Sequence, residues 1–168
     1  MAVTAGGTPY VESSDLVANY PAVSLALAEH IDGLPQTVLQ IVRATDTTTR
    51  STTSTSFVDA SISVTITPTK NDSSILVVYS AFVEAPSNVF IDAQITNASN
   101  TALSGAENGR FKANAGGVLQ VMATLIGYDS PATLAATTYK TRFKVQSGTG
   151  YLQNSINTGQ LYAIEVSA

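Results

Sequence analysis

An alternation of apolar and small polar residues dominates this chain after residue 34. In the segment 61–67 (SISVTIT) every second residue is Ile or Val, and the residues between them are Ser or Thr. A period of two is typical of a β-strand with one face in a core and the other in water. The segment 139–145 (YKTRFKV) repeats the pattern, with Tyr, Phe and Val on one side and Lys140, Arg142 and Lys144 as a basic stripe on the other.

Further strands are predicted between clusters of turn-forming residues such as KNDSS, NASN, ENG, NAGG and SGTG. The Thr- and Ser-rich stretch 45–56 favours a polar edge strand, with an exposed β-arm as the alternative, because Thr is β-branched. Short strands with regular turns predict an all-β domain at residues 35–168, an antiparallel β-sandwich or jelly roll. The remaining predicted strands are Val38–Arg43, Ser56–Asp59, Ser74–Val83, Val89–Thr96, Val118–Ile126 and Gln160–Val166.

Residues 1–34 have a different pattern and are predicted to be a docking and oligomerisation segment. The first 20 residues show no sustained period, which indicates an extended arm, with a flexible terminus as the alternative. The segment PAVSLALAEHIDGLP then predicts one short α-helix, with Pro21 at its start and Gly33 just past its end. A helix of about 11 residues is marginal alone, so it packs either on the β-domain or in a bundle of identical helices. The residues assigned to docking are Tyr10, Val11, Leu16, Val17, Tyr20, Val23, Leu27 and Ile31.

Composition narrows the choice of partners. Hydrophobic residues make up 44% of the 168 residues and charged residues only 12%, so Ser, Thr, Asn and Gln must cover the surface. With 8 basic and 12 acidic residues the net charge is −4, which disfavours nucleic acid. There are no cysteines, and no apolar run approaches the roughly 20 residues of a membrane span. We therefore expect protein partners and no membrane insertion.

The sequence offers no assembled chemistry. The sole histidine, His30, lies near the end of the predicted helix, where an imidazole complements the helix dipole. One His cannot make a zinc site, no G-x-S-x-G motif is present, and the Asp residues lack calcium-loop spacing. We predict no catalytic residues, metal or cofactor. The basic stripe is a candidate surface contact, although alternating charges also keep a sheet face soluble, and that interpretation is favoured.

Three ordered strings carry a resemblance to a known family. The segments TPYVESSDLVANYPAVSLALAEHIDGL and VLQIVRATDTTTRSTTSTSFVDASISVTITPTKNDSSILVVYSAFVE resemble the opening and the first β-strands of minor tail and tail-fibre proteins of tailed bacteriophages. The later string IGYDSPATLAATTYKTRFKVQSGTGYLQNS resembles a further region of the same proteins. The resemblance covers most of the chain.

The resemblance implies a non-enzymatic virion protein made in the host cytoplasm. It would be a homotrimer of the short tail-fibre or adaptor type, bound to other virion proteins through its N-terminus and displaying its β-domain outward. Because the chain has no room for a fibre shaft, a capsid decoration (cement) protein is the alternative. A third possibility is a module that binds a host-surface receptor or glycan through loop aromatics such as Tyr128 and Tyr151.

Overall fold

The computed structural model describes residues 2–3, 9–10, 24–25 and 37–167, and the chain divides into two compact units, 1–36 and 37–168. In the first unit, strand β1 (Ala2–Val3) pairs antiparallel with strand β2 (Pro9–Tyr10). These four residues are extended, within the segment for which the sequence predicts an extended arm. Ser24 and Leu25 are helical, and the rest of the predicted helix lies outside the described residues.

Residues 37–167 form ten strands, and every pairing among them is antiparallel. They are β3 (Val38–Asp46), β4 (Arg50–Thr52), β5 (Val58–Ile66), β6 (Ser74–Ala85), β7 (Phe90–Asn97), β8 (Gly109–Lys112), β9 (Leu119–Asp129), β10 (Thr137–Val145), β11 (Gly150–Leu152) and β12 (Gly159–Val166).

The strand order is that of a jelly roll. One sheet has the order β5-β10-β7-β8, and the other has the order β3-β12-β6-β9. The short strands β11 and β4 add to the second sheet beside the C-terminal half of β6, on the side opposite β9. If these two short strands are left out, the remaining eight can be numbered 1 to 8 in chain order. The larger sheet then has the order 1-8-3-6, and the smaller sheet has the order 2-7-4-5. This is the arrangement of the two Greek keys of a jelly roll. The all-β sandwich prediction is therefore confirmed.

Several strand predictions need correction in detail. The two strands expected at 56–59 and 61–67 are one strand, β5, which bulges at Ser61. There φ is +60°, the Ser61 N–H donates to the Asp59 carboxylate at 2.7 Å, and the register against β10 shifts. Strands β8 and β11 are too short for a period to predict. The edge-strand interpretation of the Thr-rich stretch is confirmed for Arg50–Thr52, since β4 ends its sheet.

The core lies between the two sheets. Inward side chains alternate along every long strand, and the largest fully buried ones are Tyr79, Tyr139 and Phe143. Burying such side chains contributes roughly 25 cal/mol per Å² of apolar area removed from water. Both sheets therefore present a second face outward, and these two outer faces differ in chemistry.

Candidate functional site

The outer face of the larger sheet is apolar. Side chains alternate along a strand, so every second residue of β3, β12, β6 and β9 points away from the core. The register brings Ile41, Ile164, Leu76 and Tyr128 side by side in one row across four strands. We call this surface the apolar face, and its members are Ile41, Leu76, Val78, Phe82, Met122, Ile126, Tyr128, Tyr162 and Ile164.

The next rows show how far the apolar face extends. Arg43, Tyr162, Val78 and Ile126 form the second row, in which the Arg43 guanidinium lies 5.6 Å from the centre of the Tyr162 ring. A polar row that includes Ser80 and Thr124 follows, and Phe82 pairs with Met122 beyond it. Large apolar side chains thus occupy most positions of this surface.

Several side chains of the apolar face are exposed to solvent. Ile41 is 60% exposed, Ile126 53%, Tyr128 50% and Met122 43%. Scattered exposed apolar residues are ordinary in proteins, whereas a contiguous patch usually marks an interaction site. The contiguity, which the sheet register supplies, is therefore the informative property of the apolar face.

The outer face of the smaller sheet is polar. On β5 its exposed residues are Asp59, Ser61, Ser63 and Thr65, and the Thr65 and Thr138 hydroxyls lie 2.8 Å apart across β5 and β10. The same fold thus has one outer face suited to water and another suited to a protein surface.

The predicted basic stripe lies on this polar face, where each of its cations contacts a partner in the domain. The Lys140 ammonium lies 3.6 Å from the Asp59 carboxylate, and Arg142 donates to the Phe57 carbonyl. The Lys144 ammonium lies 3.9 Å from the Asp92 carboxylate and 4.6 Å from the centre of the Phe57 ring. These contacts favour the interpretation as a solvated sheet face, and the surface-contact role of Lys140, Arg142 and Lys144 stays a prediction.

The buried carboxylates of the domain serve structure. Asp92 accepts a two-pronged hydrogen bond from Arg110 at 2.6 and 2.9 Å. Asp46 accepts two hydrogen bonds from Arg50, at 2.9 and 3.0 Å. These and further hydrogen bonds lower the pKa of the Asp46 carboxyl, although burial by itself raises it. Each is paired with an arginine, and the lowered pKa of Asp46 is the opposite of the raised pKa that suits a general acid.

Glu165 is fully buried on β12 and ties three elements together. It accepts hydrogen bonds from Gln40 at 2.6 Å, from Ser73 at 2.7 Å, and from the Thr69 and Lys70 amides at 2.7 and 3.2 Å. Burial alone raises the pKa of this carboxyl, but these donors outweigh it and hold the pKa at about 2. Glu165 is a charged anchor between β3, β12 and the turn before β6.

Within the described residues, no group of three or more His, Asp or Glu side chains is close enough to hold a metal ion. Among the same residues, no helix has the length and apolar character needed to cross a bilayer.

Most of the predicted docking residues lie outside the described residues. Tyr10 lies in β2, where its backbone pairs with Ala2. Leu25, the apolar residue described in the helix, is 60% exposed. The docking residues outside the described part are Val11, Leu16, Val17, Tyr20, Val23, Leu27 and Ile31.

Two aromatic residues expected in loops lie in strands. Tyr128 belongs to β9, where its hydroxyl contacts those of Ser74 and Ser130, and Tyr151 belongs to β11. The prediction of loop aromatics is wrong because both segments continue a sheet ladder through these residues. This removes the feature on which a loop-borne glycan site depended.

The apolar face was not predicted from the sequence, although β6 carries a signal for it. The segment 75–79 (ILVVY) is apolar at every position, and a continuous apolar run indicates a strand with both faces in apolar surroundings. The alternating pattern of β5, by contrast, predicts a wet outer face, which the structure shows.

Comparison with known proteins gives no family. No protein-family model matches the chain, and a search of curated proteins finds no match. The resemblance to tailed-phage tail proteins stays a prediction.

Proposed function

We propose that this chain is a non-enzymatic structural protein that assembles with other protein chains through its apolar face. The observation that carries the proposal is the row Ile41, Ile164, Leu76 and Tyr128, which continues apolar character across four strands on the outside of the sandwich. Because burial of apolar surface is favourable, an apolar face that is exposed to water favours association with a partner that covers it.

The size of the face supports this role. Four strands at about 4.8 Å spacing, over the roughly four residues of strand that the two apolar rows occupy, make a surface of roughly 260 Å². That approaches the size of the largest apolar patches on monomeric proteins, which are often functional, and is about a third of one side of a standard protein–protein interface. The face can therefore form the centre of an interface, with polar neighbours such as Thr45 and Gln160 at its rim.

The proposed assembly is the virion of a tailed bacteriophage. The support for this step is the resemblance of the three sequence strings, together with the low proportion of charged residues. The fold agrees with such a role but does not by itself select it, because jelly rolls serve many functions. Within the virion we propose a trimeric tail-fibre or adaptor protein, with a capsid decoration protein as the second location.

Imaging of purified particles tests the virion proposal. Phage particles produced by cells that express an epitope-tagged copy would be labelled with gold-coupled antibody and viewed by electron microscopy. We expect label at the tail, while label over the capsid would favour the decoration role. If neither imaging nor immunoblotting detects the protein in purified particles, the virion role is contradicted.

A further inference from the structure

Sheet edges in folded proteins are normally protected from pairing with other strands. Five strands of residues 37–167 lie at edges, and four of them carry a protective feature. Strand β3 contains Arg43 and a register shift, β4 has three residues including Arg50, and β5 bulges at Ser61. Strand β8 has four residues, two of which are Arg110 and Lys112. Short length, charge and bulges all oppose pairing with a second chain.

Strand β9 lacks these protections. It is 11 residues long, and its register against β6 runs without a shift from Leu119 opposite Ala85 to Asp129 opposite Ile75. Residues 119–128 contain no charged residue and no proline. A long, flat and uncharged edge is a template for strand addition.

The backbone groups that face this edge can be identified from two contacts. The Tyr128 N–H donates to the Ser104 carbonyl at 2.9 Å, away from β6. A Cβ added at Gly105 would lie 3.0 Å from the Ile126 carbonyl oxygen, so that oxygen also points away from β6. Because backbone polar groups alternate sides along a strand, all even-numbered residues of β9 direct their N–H and C=O groups to the outer edge.

The loop that contains Ser104 and Gly105 covers only the C-terminal part of this edge. Within residues 37–167 no strand pairs with the outer backbone groups of Gln120, Met122 and Thr124. Their side chains belong to the same outer surface as the apolar face, and all three are exposed.

We infer that the β9 edge pairs with the β9 edge of a second copy of this chain. The pairing is antiparallel about a two-fold axis at Met122, so that Met122 lies opposite Met122 of the second copy and Gln120 lies opposite its Thr124. About six backbone hydrogen bonds join the copies in this register. The apolar faces of the two copies then continue as one surface.

A second copy fits this edge better than an unrelated strand. The edge carries no charge with which to select a partner of opposite sign, and self-pairing brings no like charges together. Two-fold pairing also uses one surface twice, which is the commonest symmetry of protein oligomers. The inference depends on the edge and is independent of any contact through Ile41 and its row.

Single cysteines test the register, because the chain contains none of its own. In the proposed pair the Cα atoms of the two Met122 residues lie about 5.5 Å apart, within the range for a disulfide. We expect Met122→Cys to form a disulfide-linked dimer under mild oxidation. Gln120→Cys and Thr124→Cys should each stay monomeric on a non-reducing gel, because the Cα atoms of the two copies of either residue lie roughly 15 Å apart. A mixture of the two variants should crosslink.

The matched control is Ser63→Cys, an exposed position on the polar face. If Met122→Cys crosslinks no faster than this control, the proposed pairing is wrong. Crosslinking of Gln120→Cys with itself would contradict the register. Because all four sites are exposed, unfolding of a variant is not expected, and circular dichroism of each one checks this.

Amide hydrogen exchange of the unmodified protein gives a second readout. At micromolar concentration and above, we expect the amides of Gln120, Met122 and Thr124 to be protected, and to lose that protection on dilution. The neighbouring amides of Val121 and Ala123, which face β6, should stay protected at every dilution. Fast exchange of the three even-numbered amides at all concentrations, or protection that does not change on dilution, would contradict pairing with a second copy.

Discussion

Replacing Glu165 with Gln should remove a charge that stabilises the fold. The carboxylate is fully buried and is held by donors from Gln40, Ser73 and two backbone amides of the turn before β6. The substitution keeps the side-chain volume, but it turns one acceptor atom into a donor that faces other donors. A buried donor without an acceptor costs free energy, so the variant should unfold more easily.

The magnitude follows from the pKa. The Glu165 carboxyl has an ordinary pKa of 4.5, and in the folded protein its pKa is about 2. At about 1.36 kcal/mol per pKa unit, this difference corresponds to about 3 kcal/mol of stability in favour of the charged form. Because the pKa is lowered on folding, that stability is fully present above pH 4.5 and is lost as the pH falls toward 2.

Urea unfolding followed by far-ultraviolet circular dichroism measures the effect. At pH 7 we expect Glu165→Gln to lower the free energy of unfolding by about 3 kcal/mol, and the gap to the unmodified protein should close between pH 4.5 and 2. The control is Glu107→Gln, at an exposed loop position, which should change little. A gap that stays constant from pH 7 to pH 2.5, or no gap at pH 7, would refute the assignment of Glu165 as a charged anchor.

Three further outcomes are expected. Gly150→Ala should lower the free energy of unfolding in urea by about 1–3 kcal/mol, because the added Cβ would lie 2.7 Å from side-chain atoms of Ile91 and Val145; an unchanged midpoint would show that the core can yield there. A fragment of residues 37–168 should fold cooperatively by circular dichroism, since the core side chains of the described residues all lie within it, and a disordered fragment would refute this. Assembly through the apolar face should persist in 1 M NaCl, because salt screens charges and leaves apolar burial unweakened; a fall in particle mass with salt would instead implicate charged contacts such as those of Lys140.

The sequence predicts the long strands well where apolar and polar residues alternate clearly. In β5 and β10 a buried apolar side chain alternates with a wet polar one, and the pattern identifies both the strand and its inner face. The bulge at Ser61 was not predictable, since the alternation of side chains continues through it while the partner strand shifts register. Short strands such as β8 and β11 have too few residues for a period, and pairing with neighbours determines them.

The candidate site depends on information that a single strand does not contain. Ile41, Leu76, Ile126 and Ile164 are far apart in sequence, and only the order β3-β12-β6-β9 places them on one surface. Continuous apolar character at 75–79 indicates that something covers both faces of β6, but it cannot say which other strands share that face. The docking role of the N-terminal segment rests on its lack of a sustained period and stays a prediction.

The mass of the protein in solution tests whether copies of the chain assemble through the apolar face. Multi-angle light scattering would be applied to the unmodified chain, to Ile41→Lys on the apolar face, and to Ser63→Lys on the polar face, both exposed positions. We expect a mass that is a multiple of the 17.4 kDa chain: three copies for the proposed trimer, or six where two trimers also pair through their β9 edges. Ile41→Lys should lower this mass, and Ser63→Lys should leave it unchanged. A mass of one chain for the unmodified protein at micromolar concentration, or equal masses for all three proteins, would contradict assembly through the apolar face.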